Sequence, residues 1–336
     1  MNTLSIKKNH FSILQILHTS MSVIFAIMIL VSCKKDKTQP NLTDGECSEI
    51  IHCSQFTIGG GHYITVDYPT FSVACWNPNN PDEFIYIKAN DAINKSIWRY
   101  NTNTGIKTLI ANGMFFNISN QIQNDWILIG NNDYNIYKIK LDGTGLEQLT
   151  LAGTYYRPQF YHEHGKFYVQ DLSLPNKIIL VQMDGSIIDT VENTQLLKGA
   201  FRNQRFLQNN PYDQKIIIRG MNNEIIYQFD YSFQNSIIDT ASISGGAAWI
   251  DDNNIIYSHQ KGYYTLNLNT GAFKKIKNTC PKLFYQMSSG FICNDNNILL
   301  NRLTYEQIDE CTLKSSQVIV MLDKYGDNEI EVDLSD

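Results

Sequence analysis

The chain has 336 residues, 43% of them hydrophobic and 18% charged, which is ample for a sizeable core and excludes an intrinsically disordered protein. Lys plus Arg number 27 against 33 Asp plus Glu, for a net charge of -6, and no basic run exceeds two residues, as at Lys34 and Lys35, so the electrostatic footprint of a nucleic-acid binder is missing. With 19 Tyr and 16 Phe set among many Ile and Asn, the composition favours strands joined by polar turns, and an all-β protein is expected.

Lys7, Lys8 and His10 precede an apolar stretch from Met21 to Val31 that is too short to cross a bilayer comfortably and has the cationic start of a secretory signal. The stretch ends Leu30-Val31-Ser32-Cys33, which resembles the bacterial lipobox: a branched residue, a small residue, then the cysteine that takes up diacylglycerol before cleavage. The resemblance implies a lipoprotein signal peptide over residues 1–32 and an acylated Cys33 as mature N-terminus, anchored to a membrane without spanning it. The alternative is an uncleaved signal anchor with an incidental cysteine. Residues 33–58 are expected to be a tether, since Lys34 to Gly45 is polar, contains Pro40 and lacks apolar periodicity. The Ser-Cys-Lys-Lys-Asp junction resembles those of Bacteroidota lipoproteins, in which acidic residues after the cysteine direct export to the surface; Asp36 alone supplies that charge here. An outer-membrane lipoprotein, periplasmic or surface-exposed, is the expectation.

Residues 59–336 contain a repeat. Its clearest copy runs from Phe115 to Gly153: a strand, a turn ending Asn124-Asp125, the strand Trp126 to Ile129, the turn Asn131 to Asn135, the strand Ile136 to Leu141, Asp142-Gly143, and Leu146 to Thr150. This tail, followed by Arg157-Pro158-Gln159-Phe160 and Gly165-Lys166-Phe167-Tyr168-Val169, resembles the TolB-type β-propeller repeat. Further copies align on the third strand and its glycine turn: Trp98 to Asn101, Ile179 to Met183, Ile225 to Phe229, Tyr263 to Leu268 and Val318 to Leu322. Six copies imply a six-bladed β-propeller of four-stranded antiparallel blades, with a β-sandwich as the rival fold. Closing the ring requires one blade built from both chain ends, and Tyr63 to Val66 and Ile330 to Leu334 are both candidates for its outer strand. TolB carries an α/β domain before its propeller and no helical pattern occupies that place here, so the Tol-Pal role does not transfer. No G-x-S-x-G is present, and the chain is too short for an added hydrolase domain.

Asn77 to Asp82, His162 to Gly165, Asn209 to Asp213, Asp251 to Asn254 and Asn294 to Asn297 read as turns between first and second strands, where Asn, Asp and Gly tolerate positive φ or cap their own backbone. Asp251-Asp252-Asn253-Asn254 lacks the alternating ligands and glycine of a calcium loop. His162 and His164 alternate as metal ligands would, but His259 falls on the opposite face of the disc, so no metal and no cofactor is expected.

Loops after second strands and between blades form the face where propellers most often bind ligands. They hold Asp91, Asp133, Tyr134, Tyr155, Tyr156, Arg157, Arg202, His259, Lys261, Arg302 and Tyr305. Of these, Tyr134, Tyr155, Tyr156, Arg157, Arg202, His259 and Arg302 are the candidate ligand residues, because aromatics with arginine suit a sugar or a peptide through stacking and paired hydrogen bonds. Packing between blades is the competing role for the tyrosines. Besides Cys33 there are six cysteines; Cys47, Cys53 and Cys75 lie early and Cys280, Cys293 and Cys311 late, so disulfides across the ring closure are expected, with Cys280–Cys311 the preferred pair and Asn301 to Ser315 a long loop. The function expected is a non-catalytic binding or scaffolding module for a protein or glycan at the cell envelope. The alternative is a propeller polysaccharide lyase or glycosidase acting on an acidic glycan, which needs convergent histidines or paired carboxylates.

Overall fold

The computed structural model describes residues 63–335 except 114, 120, 152, 162, 175–176, 193–199, 211–214, 231–245, 260–261, 279–282, 287–292 and 295. The signal segment, Cys33, the tether and Cys280 therefore lie outside the described residues. Among those described there is no helix.

Six sheets follow one another along the chain. Blade I holds β2 (Thr70–Trp76), β3 (Glu83–Ala89), β4 (Lys95–Asn101) and β5 (Lys107–Gly113). Blade II holds β6 (Phe115–Ile118), β7 (Trp126–Asn131), β8 (Ile136–Lys140) and β9 (Glu147–Gln148). Blade III holds β10 (Tyr155–Phe160), β11 (Lys166–Asp171), β12 (Lys177–Gln182) and β13 (Ile187–Glu192). Blade IV holds β14 (Ala200–Arg202), β15 (Arg205–Asn210), β16 (Lys215–Arg219) and β17 (Ile225–Asp230). Blade V holds β18 (Ala247–Trp249), β19 (Asn254–His259), β20 (Gly262–Asn267) and β21 (Phe273–Asn278). Each is an antiparallel meander, and together they make the expected six-bladed propeller.

Blade VI closes the ring. Its chain-consecutive strands are β22 (Leu283–Gln286), β23 (Asn297–Gln307) and β24 (Thr312–Asp323), and two short strands share the free edge of β24. β1 (Tyr63–Val66) runs parallel to residues 312–315, and β25 (Ile330–Glu331) runs antiparallel to Val320 and Met321. Both chain ends thus supply the fourth strand. Lys277 and Arg302 brace the arrangement by pairing with Glu329 at 2.6 and 2.8 Å, and Arg302 also reaches Glu331.

The second strands explain the apolar runs that mark each repeat. A strand buried on both faces sends alternate side chains to opposite sides. Ile127 and Ile129 pack with Ile85, Ile97 and Ile139 between blades I and II, whereas Leu128 between them packs with Phe167, Val169 and Val181 of blade III. Ile255 and Tyr257 likewise face blade IV, while Ile256 joins the cluster shared by blades I, V and VI. Each buried Ile contributes about 1.5–3 kcal/mol, so the core is a set of seams between blades.

In four blades the turn between third and fourth strands uses one of two chemistries that the sequence spells out. In blades I and V, Asn101 Oδ1 and Asn267 Oδ1 each accept from a Thr hydroxyl and amide three residues on, before a glycine at φ 72 or 69. In blades II and III, the Asp142 and Asp184 carboxylates accept from the amide and hydroxyl of Thr144 and Ser186.

Three expectations need correction. Ile225 to Phe229 belongs to the fourth strand of blade IV; the third is Lys215–Arg219. Asn209 and Asn210 consequently end the second strand, residues 211–213 lie outside the described residues, and the first turn of that blade is Asn203-Gln204, both at positive φ. Asn301 to Ser315 is mostly strand rather than loop, since β23 and β24 pair continuously from Asn297↔Asp323 to Gln307↔Leu313 and stand out past the other blades.

Candidate functional site

Antiparallel meanders put first-to-second and third-to-fourth turns on one side of the disc, here the lower face. Second-to-third turns and blade-to-blade connections lie on the upper face. Tyr134 sits in the second-to-third turn of blade II, and Tyr155, Tyr156 and Arg157 open the first strand of blade III, so both groups occupy the upper face. They meet: the Tyr155 amide donates to the Tyr134 carbonyl at 2.9 Å, and the Gly153 amide donates to Asn135 Oδ1 at 3.2 Å.

Local backbone geometry here is unusual. Tyr134 and Arg157 adopt φ 56 and 52, a left-handed conformation that costs a bulky residue about 1 kcal/mol. At Tyr134 the turn is held by its own amide donating to the Asn131 carbonyl at 3.0 Å, and the Asn135 amide donates to Asn131 Oδ1 at 3.0 Å. At Arg157 the ladder between β10 and β11 breaks register between Tyr156 and Gln159, a bulge that swings the side chain out. Arg157 is exposed and its guanidinium stands 5.4 Å from the centre of the half-buried Tyr156 ring. Tyr155 behaves differently. It is buried in the seam between blades II and III, and burial, with the nearby Asp171 carboxylate, pushes its hydroxyl pKa up. Its expected role in ligand contact is corrected to packing.

The other candidates do not join this patch. Arg202 ends the first strand of blade IV, so the one-strand slip in that blade moves it to the lower face, where its Nε donates to Asp252 Oδ1 at 2.7 Å. Arg302 lies in the middle of β23 and is engaged by Glu329 and Glu331 at the ring closure. His259 closes β19 opposite Gly262 at the upper end of blade V, with its backbone described and its side chain outside the described set. His162 and Lys261 also lie outside it. Asp91 is spent on its own turn, accepting from the Ile93 and Asn94 amides at 2.7 Å.

On the lower face, Arg202 and the two turns of blade V, Asp251–Asn254 and Asn267–Asn269, line an open pocket of about 310 Å³. Asp251 serves as the turn cap expected of it, Oδ1 accepting from the Asn253 and Asn254 amides at 2.8 Å. The sequence carried a signal for this pocket in two Asn-rich turns of one blade that share a face, but each reads as a turn when taken alone.

Cys311 is buried just ahead of β24. Cys75 and Cys293 are free and buried, which removes them from the set expected to staple the closure. The apolar seams around them explain why: Cys75 packs among Ala74, Ile85 and Ile97, and Cys293 with Ile298 and Leu299, in the manner of small hydrophobes.

No family model matches the chain, and no curated protein matches it. Among solved structures, the β-propeller domain of the Trilobed protease from Pyrococcus furiosus, described as revealing an open velcro topology, is similar at 11% identity and a TM-score of 0.48, over 80% of this chain and 99% of that one. KlHsv2 with loop 6CD replaced by a Gly-Ser linker is similar at 10% identity and a TM-score of 0.39, over 78% of this chain and 95% of that one.

Proposed function

We propose that the protein is a lipid-anchored envelope lipoprotein with a TolB-like propeller, which captures a protein or glycan on its upper face without catalysis. The observation that carries this reading is the pair of bulky residues, Tyr134 and Arg157, held at positive φ in adjoining loops that share a hydrogen bond. Such backbone strain has to be offset by surrounding bonds, and it clusters at ligand clamps. An exposed guanidinium stacked on a tyrosine ring offers a flat, charge-bearing platform to a sugar ring or a peptide. Anchoring through Cys33 follows from the lipobox resemblance, and a Cys280–Cys311 bridge would staple the last blade.

The test pairs two variants of the full chain. Cys33→Ala should move the protein out of the membrane fraction, and unchanged retention would defeat the anchor. Arg157→Ala should abolish capture of envelope components or of array-bound glycans while anchoring persists. Equal capture by wild type and Arg157→Ala would remove the upper face as the binding surface, and release of new sugar ends from an acidic polysaccharide by wild type would replace the binding role with an enzymatic one.

A further inference from the structure

We infer that the lower-face pocket of blade V is a second binding site, for a neutral sugar held through neighbouring hydroxyl groups. It lies on the side of the disc away from Tyr156 and Arg157, so it does not rest on the role proposed for the upper face.

The pocket is a rigid floor with unused amides above it. The two turns that line it are cross-braced: Asn267 Nδ2 donates to Asn254 Oδ1 at 3.0 Å, Asn254 Nδ2 donates to Asp251 Oδ2 at 2.8 Å, and the Leu268 amide donates to the Asn253 carbonyl at 2.7 Å. Arg202 and Asn203, from blade IV, both donate to Asp252 Oδ1, at 2.7 and 2.8 Å, while Arg205 donates to the Asp252 carbonyl at 2.9 Å and lies over the buried Trp249 ring. These bonds hold the wall of one blade against the next. The side-chain amides of Asn253 and Asn269, both exposed at the rim, have no hydrogen-bond partner among the described residues, and neither residue has a positive φ, so both amides are open to a ligand.

Chemistry narrows the ligand. No apolar or aromatic side chain lines the pocket, which disfavours a flat aromatic or lipid-like guest. Asp251 and Asp252 both line the pocket and Arg202 bonds Asp252, so phosphate, sulfate or a uronic acid would have to approach two carboxylates. Primary amides offer a donor and an acceptor side by side, and carboxylates accept two donors, the complement of adjacent sugar hydroxyls. At about 310 Å³ and open to solvent, the pocket would seat one face of a saccharide rather than enclose it.

The experiment uses the full chain in a sugar-free zwitterionic detergent, because maltoside detergents would compete. Maltose, cellobiose and lactose are the neutral probes and digalacturonate the acidic one, each followed by saturation-transfer NMR and titration. The expected result is binding of at least one neutral disaccharide, weakened about tenfold or more in Asn253→Ala/Asn269→Ala and unchanged in Arg157→Ala. No binding of any neutral probe, equal binding by the double variant, or preference for digalacturonate would each overturn the inference. A second double variant, Asn253→Ser/Asn269→Ser, guards against misfolding: serine suits turns, so it should keep the wild-type melting temperature, and without the longer amide it should also lose the sugar. Sugar binding retained in that variant would count against the site as well.

Discussion

The buried amide of Val73 donates to Asn301 Oδ1 at 2.9 Å, across 228 residues of chain. Beside it, Gln317 Nε2 donates to the Phe71 carbonyl at 2.9 Å and to Ser72 Oγ at 2.6 Å. Side chains of blade VI thus satisfy the backbone of the first strand of blade I, at the one seam that no covalent blade-to-blade loop of the usual kind spans.

Asn301→Leu preserves volume but strands the Val73 N–H in the interior. The expected cost is about 1–3 kcal/mol, read as a lower urea midpoint with an unchanged slope. A midpoint equal to wild type would show that this seam is held by apolar packing alone.

Tyr155 and Arg157, two residues apart, should respond in opposite ways. Tyr155→Ala removes a buried ring from the seam between blades II and III and should cost about 3 kcal/mol. Arg157→Gly relieves a left-handed residue and should leave the melting temperature equal or slightly higher, with ligand capture lost. Thermal melts of the two variants decide the matter; a marked loss of stability on Arg157→Gly would make the bulge a structural element.

Burial pushes the Cys75 thiol up to about 12 and raises that of Cys293 further. The reactive form is the thiolate, so both should resist alkylation by iodoacetamide at pH 8 in the native protein and react fully in guanidinium. Mass spectrometry of the labelled peptides reads this directly, and rapid native labelling of either would contradict the buried seams.

Acid should loosen the turns of blades II and III. Asp142 is held below the ordinary carboxylate range first by the Thr144 hydroxyl and then by the Thr144 amide, and Asp184 likewise by Ser186. Because the folded pKa lies below the unfolded one, near 3.9, their contribution is complete above about pH 4 and is lost as pH falls through the folded value. Asp142→Asn/Asp184→Asn should flatten the decline in stability below pH 4, and a decline identical to wild type would assign acid sensitivity to other groups.

The blade count was legible because the turn chemistry is local: Asp142-Gly143-Thr144 and Asp184-Gly185-Ser186 repeat the same bonds, and Asn101 and Asn267 repeat another set. Blade IV misled because its third-to-fourth turn has neither motif. Gly220 donates to the Glu224 carbonyl instead, with Asn223 at φ 65, and the apolar Ile225 to Phe229 after it passes for a third strand. That slip alone placed Arg202 on the wrong face. The long hairpin hid for a different reason: its outer half, from Arg302 to Gln307, is neither well buried nor cleanly alternating, so it carries no strand period. Arg157 was found by its neighbours in sequence, but its strained backbone has no signature short of coordinates.

Sharing one strand between both termini also governs how the molecule can be made. Thr65 must bond the Leu313 carbonyl 248 positions later, so the first strand to leave the ribosome waits unpaired through synthesis of five blades. Those blades can settle one after another on local contacts, while the ring stays a horseshoe until β24 is made and residues 312–315 meet β1. A nascent or clipped chain lacking either edge strand exposes half the edge of β24, an open pairing surface of the kind that proteases and chaperones recognise. Only a chain carrying both edge strands covers that edge.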